Sequence, residues 1–192
     1  MNDDIASNVL WRRLGYMLTP QLDIYRHLSR MMSGLDVLEI GFGTGFGVLQ
    51  YAFLAKHVTA IEIDRAAVHF CNTNIPLHNV RWMYGDISGE SLNGQIFDAM
   101  VMIEVLEHVR DWQVALDNCV KHLRDGGKLW MSARNANAHL RKNDLHEREW
   151  TAKELVEALS RRFARVDLWD YTVSQPQSID TKHTPLIAEA TK

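Results

Sequence analysis

The sequence predicts an α/β domain built on a mainly parallel seven-stranded sheet, with helices on both faces and the last strand antiparallel. Three observations predict it. Short apolar runs alternate with helical-period segments from Asp36 onward, the pattern a parallel sheet requires because each strand crosses over to the next. A glycine-dense turn, Gly41-Phe42-Gly43-Thr44-Gly45, directly follows the first run. Acidic residues stand where later runs end, at Glu62, Asp86 and Glu104, and open parallel sheets bind ligands beyond the carboxyl ends of their strands.

The elements follow in order. Asp36 to Ile40 reads as a short buried strand, and Gly45 to Lys56 returns apolar residues at helical spacing. His57 to Ile63 reads as a second strand, and Asp64 before Arg-Ala-Ala-Val is an N-cap for the next helix. Val80 to Tyr84 and Phe97 to Ile103 give strands three and four. A helix from Asp111 to Leu123 and the turn Asp125-Gly126-Gly127 lead to a fifth strand, Lys128 to Ala133. Thr151 to Phe163 carries Leu155, Val156 and Leu159 on one helical face, with Thr151 and Glu154 at capping-box spacing. Arg165 to Tyr171 and Pro185 to Ala190 complete the strands. No repeat or linker splits the chain, so it reads as a single domain, 1–192, with 1–34 as an N-terminal helical cap. Trp11, Tyr16, Leu18 and Tyr25 in that cap read as packing on an amphipathic helix or as a pocket lid.

Composition narrows the function classes. Twenty-one basic and 24 acidic residues leave a formal charge of −3, which lacks the global attraction to nucleic acid that a basic domain has. No apolar run reaches the roughly 18 residues of a membrane span. Cys71 and Cys119 have no metal-type spacing and read as buried free thiols. The acidic start Met1-Asn2-Asp3-Asp4 leads into no apolar signal core, so the expected compartment is the cytoplasm. No feature sets an oligomeric state.

The glycine turn admits a ligand close to the backbone, because glycine takes positive φ without a Cβ. It fails the dinucleotide fingerprint, whose third glycine would fall at Phe46, or at Val48 if the pattern started at Gly43. It also lacks the Lys-Ser/Thr of a nucleoside-triphosphate loop. Glu62 stands about 20 residues on, where a carboxylate accepts from both ribose hydroxyls of a bound nucleoside. The third strand ends in Tyr84-Gly85-Asp86-Ile87, and the fourth runs through Phe97-Asp98 to Ile103-Glu104-Val105-Leu106-Glu107-His108.

Together these patterns resemble the class I S-adenosylmethionine-dependent methyltransferases, which carry E-x-G-x-G-x-G as in Glu39 to Gly45, G-D-hydrophobic as in Gly85 to Ile87, and E-V-L-E-H as in Glu104 to His108. The E-V-L-E-H run points toward the small-molecule type. The resemblance covers roughly Val37 to Ala133 and implies a Rossmann-like fold. It implies that Glu39, Gly41, Gly43 and Gly45 lie under the amino-acid part and ribose of the cofactor, with Glu39 helping to hold its ammonium group. Glu62 and Ile63, Asp86 and Ile87, and Ile103 are the further cofactor residues, with Asp86 at the exocyclic amine of adenine.

In-line methyl transfer depends chiefly on holding both reactants in position, and a hydroxyl nucleophile also gains from a base or a metal. His108, chosen because histidine is the side-chain type whose charge changes near neutral pH, and Glu104 are the catalytic candidates. Small-RNA terminal 2′-O-methyltransferases show E-x-x-E-H and a later H-x-x-E-W around a divalent metal. Glu104, Glu107, His108 and His146 match those positions, although methyltransferases without metal carry similar runs. The expected function is methyl transfer to a small-molecule acceptor at oxygen or nitrogen. A metal-assisted RNA 2′-O-methyltransferase and a catalytically silent cofactor-binding module are the alternatives. Substrate choice falls to segments outside the common core, among them the cationic loop with His139, Arg141, Lys142, His146 and Arg148, a residue set that also suits a solvated face.

Overall fold

The computed structural model describes residues 20–89, 92–138, 145–170, 175–182 and 185–192. Trp11, Tyr16 and Leu18 of the expected cap, and His139, Arg141 and Lys142 of the cationic loop, lie outside the described residues. Packing divides the chain into two units, Met1–Gly85 and Asp86–Lys192.

The first unit carries three parallel strands, β1 (Asp36–Ile40), β2 (His57–Glu62) and β3 (Val80–Tyr84), in the order β3-β2-β1. The apolar residues of β1 turn inward, as a strand covered on both faces requires, with Val37 and Leu38 fully buried and Ile40 nearly so. Its helices are α1 (Pro20–Ser29), α2 (Phe46–Leu49) and α3 (Arg65–Asn74). Asp64 caps α3 as its sequence position predicts, with its carboxylate accepting from the Ala66 N–H at 2.8 Å. α2 is much shorter than the helix expected to reach Lys56. Beyond Leu49 the winding turns irregular, with the N–H groups of Gln50, Tyr51 and Leu54 reaching back three residues and those of Ala52 and Ala55 reaching back four. Tyr51 is held there by its own hydroxyl, which is bonded to Glu39 on β1.

The second unit carries β4 (Phe97–Met102), β5 (Leu123–Ala133), β6 (Arg165–Asp170), β7 (Gln175–Pro176) and β8 (Leu186–Thr191), with helices α4 (Trp112–His122) and α5 (Ala152–Ser160). β4 and β5 are parallel, while β8 runs antiparallel to both β5 and β6, as expected of the last strand. Two details differ from the sequence expectation. β5 starts at Leu123, not Lys128, because Leu123 pairs with Phe97 across a register shift. The expected Asp125-Gly127 turn is bonded into the sheet through Gly126 N–H to the Lys192 carbonyl and Lys192 N–H to the Gly127 carbonyl. Where seven strands were expected, the described residues hold eight, the addition being the two-residue β7 paired with β6. The α5 cap is a reciprocal capping box, with Thr151 Oγ1 accepting from the Glu154 N–H and Glu154 Oε2 accepting from the Thr151 N–H.

Cys71 and Cys119 are buried free thiols, and burial pushes the pKa of each up to about 12. Among the described residues, no helix is long and apolar enough to cross a membrane.

Candidate functional site

In the first unit the chain leaves β1 through glycines in the left-handed region, with φ of 72° at Gly41, 55° at Gly43 and 79° at Gly45. Gly43 is the position where this matters for a ligand. A Cβ added there would meet nothing within 4 Å, so the backbone conformation demands glycine and the space beside it stays open. Its N–H donates to Glu62 Oε2 at 2.9 Å. Glu62 Oε1 accepts from the N–H groups of Ile63 and Asp64 at 2.8 and 3.0 Å. The sequence-predicted ribose acceptor is therefore also the clamp that shapes the glycine turn. Beside it the Ile63 side chain is 65% exposed.

Glu39 is sealed, with 0% of its surface exposed. Its Oε1 accepts from the Tyr25 hydroxyl and its Oε2 from the Tyr51 hydroxyl, each at 2.6 Å. Burial raises its pKa to about 7, and the two phenolic donors oppose that rise.

The second unit begins with Asp86, whose Oδ1 accepts from the N–H and hydroxyl of Ser88 at 2.8 and 2.6 Å. Ile87 is buried, and its carbonyl is held by the Asn118 side-chain amide of α4 at 2.8 Å. Ile103 is buried at the end of β4.

Just past it, Glu104 has φ 55°, a left-handed conformation that costs a side-chain-bearing residue roughly 1–2 kcal/mol. Ser132 on β5, itself fully buried, holds it there. Its Oγ accepts from the Glu104 N–H at 2.9 Å and donates to Glu104 Oε1 at 2.8 Å. Burial raises the Glu104 pKa, against the pull of Ser132, Arg134 and His108. The chain then winds through a 3-10 turn, Leu106–His108, which brings Glu107 inside. Glu107 is 1% exposed, and no donor among the described residues reaches its Oε2. Its pKa rises to about 8, first through burial and then through the neighbouring Glu104 carboxylate.

His108 is exposed, and its Nδ1 lies 2.9 Å from the Leu145 carbonyl. A carbonyl only accepts, so Nδ1 carries the proton and Nε2 is left with a basic lone pair. The His146 ring packs edge-on against it at 4.8 Å between centroids. Burial lowers the His146 pKa, which favours the neutral ring. Ligand atoms of Glu107, His108 and His146 lie within 4.8 Å of one another. Three of the four sequence-predicted metal candidates thus gather, while Glu104 turns one oxygen to Ser132.

Residues 38–131 match the family described as "Methyltransferase domain". The chain thus carries this methyltransferase domain and is similar to S-adenosylmethionine-dependent methyltransferases. This methyltransferase chain is 29% identical over 174 residues to a probable S-adenosylmethionine-dependent methyltransferase of Mycolicibacterium smegmatis, covering 87% of this chain and 67% of the relative. It is 31% identical over 124 residues to a ubiquinone biosynthesis O-methyltransferase of Rickettsia akari, covering 64% of this chain and 48% of that protein. It spans about half the length of several of the curated relatives it matches. Its fold matches the crystal structure of a TehB-like S-adenosylmethionine-dependent methyltransferase from Corynebacterium glutamicum with a TM-score of 0.75 over the whole of both chains, at 19% identity.

Sequence reasoning on this methyltransferase missed the residues that hold the named ones in place. Ser132 is a polar residue within the apolar run Leu129–Ala133, a signal that it serves a partner. Tyr51 was hidden in a helical-period segment, and the Leu145 carbonyl has no sequence signature. Arg134, whose Nε lies 2.9 Å from Glu149 Oε1, draws down both Glu104 and Glu107. Arg148, a candidate substrate contact by sequence, pairs with Glu154 at 2.9 Å and lies 4.2 Å over the Trp150 ring.

Proposed function

We propose that this methyltransferase moves the methyl group of S-adenosylmethionine to an oxygen or nitrogen of a small-molecule acceptor. Gly41, Gly43, Gly45, Glu62 and Ile63 form the donor cradle, and Asp86, Ile87 and Ile103 complete the donor residues. Glu104 and His108 serve the acceptor. The observation that carries the reading is the His108 tautomer. Its proton is committed to the Leu145 carbonyl, so Nε2 is the atom that takes a proton from the attacking hydroxyl or amine. Glu104, fixed by Ser132, stabilises the imidazolium that forms.

The test is release of S-adenosylhomocysteine from S-adenosylmethionine across a panel of phenols, hydroxy acids and amines. Turnover with at least one acceptor, lost in His108→Ala, supports the reading. Cofactor binding with no turnover on any acceptor favours the silent module. Turnover on RNA alone favours the RNA enzyme, a reading weakened by the formal charge of −3 and by the internal pairing of Arg148.

A second reading has its own observation. Glu107 Oε2 is buried without a donor among the described residues, beside two histidines held close together. A carboxylate and two neutral imidazoles suit manganese-like or other divalent ions, and a cation there would relieve the repulsion between Glu104 and Glu107. Glu107, His108 and His146 would hold it. When bound, such an ion lowers the pKa of an acceptor hydroxyl. Manganese titration followed by electron paramagnetic resonance, with Glu107→Gln as the control, decides this. No binding in the wild-type protein removes the metal.

A further inference from the structure

The Leu145 carbonyl meets His108 Nδ1 only while the segment that carries it stays in register with the 3-10 turn. Main-chain bonds tie that segment at two points. The Glu107 carbonyl accepts from the N–H groups of Glu147 and Arg148 at 2.8 and 3.2 Å, and Trp150 bonds the end of β5 through its N–H to the Arg134 carbonyl and its carbonyl to the Ala136 N–H. Such bonds do not by themselves choose a register, because every peptide offers the same donor and acceptor. A side chain that fits in one place does.

Arg148 fits in one place. Its guanidinium carbon lies 4.2 Å over the Trp150 ring and 5.4 Å over the Trp112 ring, and its Nη2 donates to Glu154 Oε1 at 2.9 Å. Both ends of this clamp are fixed. Trp150 is 1% exposed and packs edge-on with Trp112 of α4 at 4.8 Å between centroids. Glu154 has its other oxygen on the N–H and hydroxyl of Thr151, at 2.9 and 2.8 Å. The capping box that opens α5 therefore also aims a carboxylate at Arg148. A planar guanidinium can stack and pair at once, which an ammonium on a flexible stem cannot. The neighbouring Arg110–Glu147 pair, at 3.4 Å with Arg110 81% exposed, is a loose surface contact by comparison.

We propose that Arg148 is a positioning residue for methyl transfer: it sets the loop register that puts the Leu145 carbonyl on His108 Nδ1 and so keeps Nε2 as the basic nitrogen. This rests on the reading of His108 as the base. Arg148 acts through the main chain of its own loop, with Trp150 and Glu154 as the fixed points.

The experiment reads the His108 imidazole of the full chain by long-range proton–nitrogen correlation at about pH 9, where an ordinary histidine is neutral. Wild type is expected to show one tautomer, protonated at Nδ1. Arg148→Ala is expected to show both tautomers, with kcat lowered about tenfold and the KM for S-adenosylmethionine within about twofold. Arg148→Lys, which keeps the charge and loses the stack, is expected to fall between them. Glu154→Gln keeps an acceptor for the Thr151 N–H and weakens only the ion pair, so it is expected to give a smaller share of the second tautomer, and it decides alone if Arg148→Ala does not fold. Thr151→Ala lowers stability but leaves the Thr151 N–H on Glu154, and is expected to keep the wild-type tautomer. A ring still protonated only at Nδ1 in the arginine and glutamate variants overturns the proposal. So does a mixture that appears equally in Thr151→Ala, since Arg148 would then be a general support of the fold. A wild-type ring protonated at Nε2 overturns the reading of His108 as the base, and this assignment with it.

Discussion

Glu62, which ends a parallel strand in the first unit, and Glu107, which follows one in the second, are both buried carboxylates, yet they are finished to different degrees. Glu62 accepts from three backbone N–H groups, two of its own turn and one of the glycine turn. Glu107 keeps one oxygen with no donor among the described residues, in a turn that opens on the left-handed Glu104. The difference separates an acceptor satisfied within the fold from one that is not, in the two regions to which the proposed function gives the donor and the acceptor. Groups left unmatched in a folded protein are expected where chemistry occurs.

The largest effect should break the second region without touching the first. His108→Ala is expected to lower turnover about 10³-fold, with S-adenosylhomocysteine affinity unchanged by calorimetry. A loss confined to binding would invert the assignment of the two regions.

Next comes the acid-base behaviour of the first unit. Glu39, raised from 4.5 to about 7 by burial, holds its proton in the folded state after the unfolded chain has lost it. Stability contributed by this group is therefore present below about pH 4.5 and falls as pH rises toward 7, by on the order of 3 kcal/mol. Urea titrations of wild type and Glu39→Gln between those pH values check it. The variant should lose that part of the slope.

Smaller is the cost of Gly43→Ala, expected at about 1–2 kcal/mol in urea unfolding, because the new Cβ meets open space and only the φ of 55° is penalised. Here the sharper readout is affinity, since the added methyl stands where the ligand should approach. The smallest effect is a control outside both regions. Thr151→Ala removes the α5 capping box and should cost about 1 kcal/mol, lowering the melting temperature while turnover per folded molecule holds.

What the sequence made legible was whatever repeats with a period or stands at a fixed offset from a strand end. β1 through β4, the Asp64 cap and the Thr151–Glu154 box all follow from neighbours within a few residues. Glu62 was legible for the same reason, at a set distance from the glycine turn. The shortened α2 was not, because what halts it is a bond from Tyr51 to a residue 12 positions back. Ser132 reaches Glu104 across 28 positions and Leu145 reaches His108 across 37. Such pairs depend on how strands and loops stack, which periodicity does not encode. The burial of Glu39 under two tyrosine hydroxyls was not legible either, since its donors stand 14 positions before it and 12 after it.

The bond from His108 to the Leu145 carbonyl governs which changes this protein can tolerate nearby. The group that selects the basic nitrogen belongs to the main chain, while the Leu145 side chain is 74% exposed. Substitutions at 145 can therefore alter what the loop touches without altering which nitrogen takes the proton. An insertion or deletion that shifts the loop by one residue would do the reverse, sparing every side chain and moving the carbonyl that sets the tautomer.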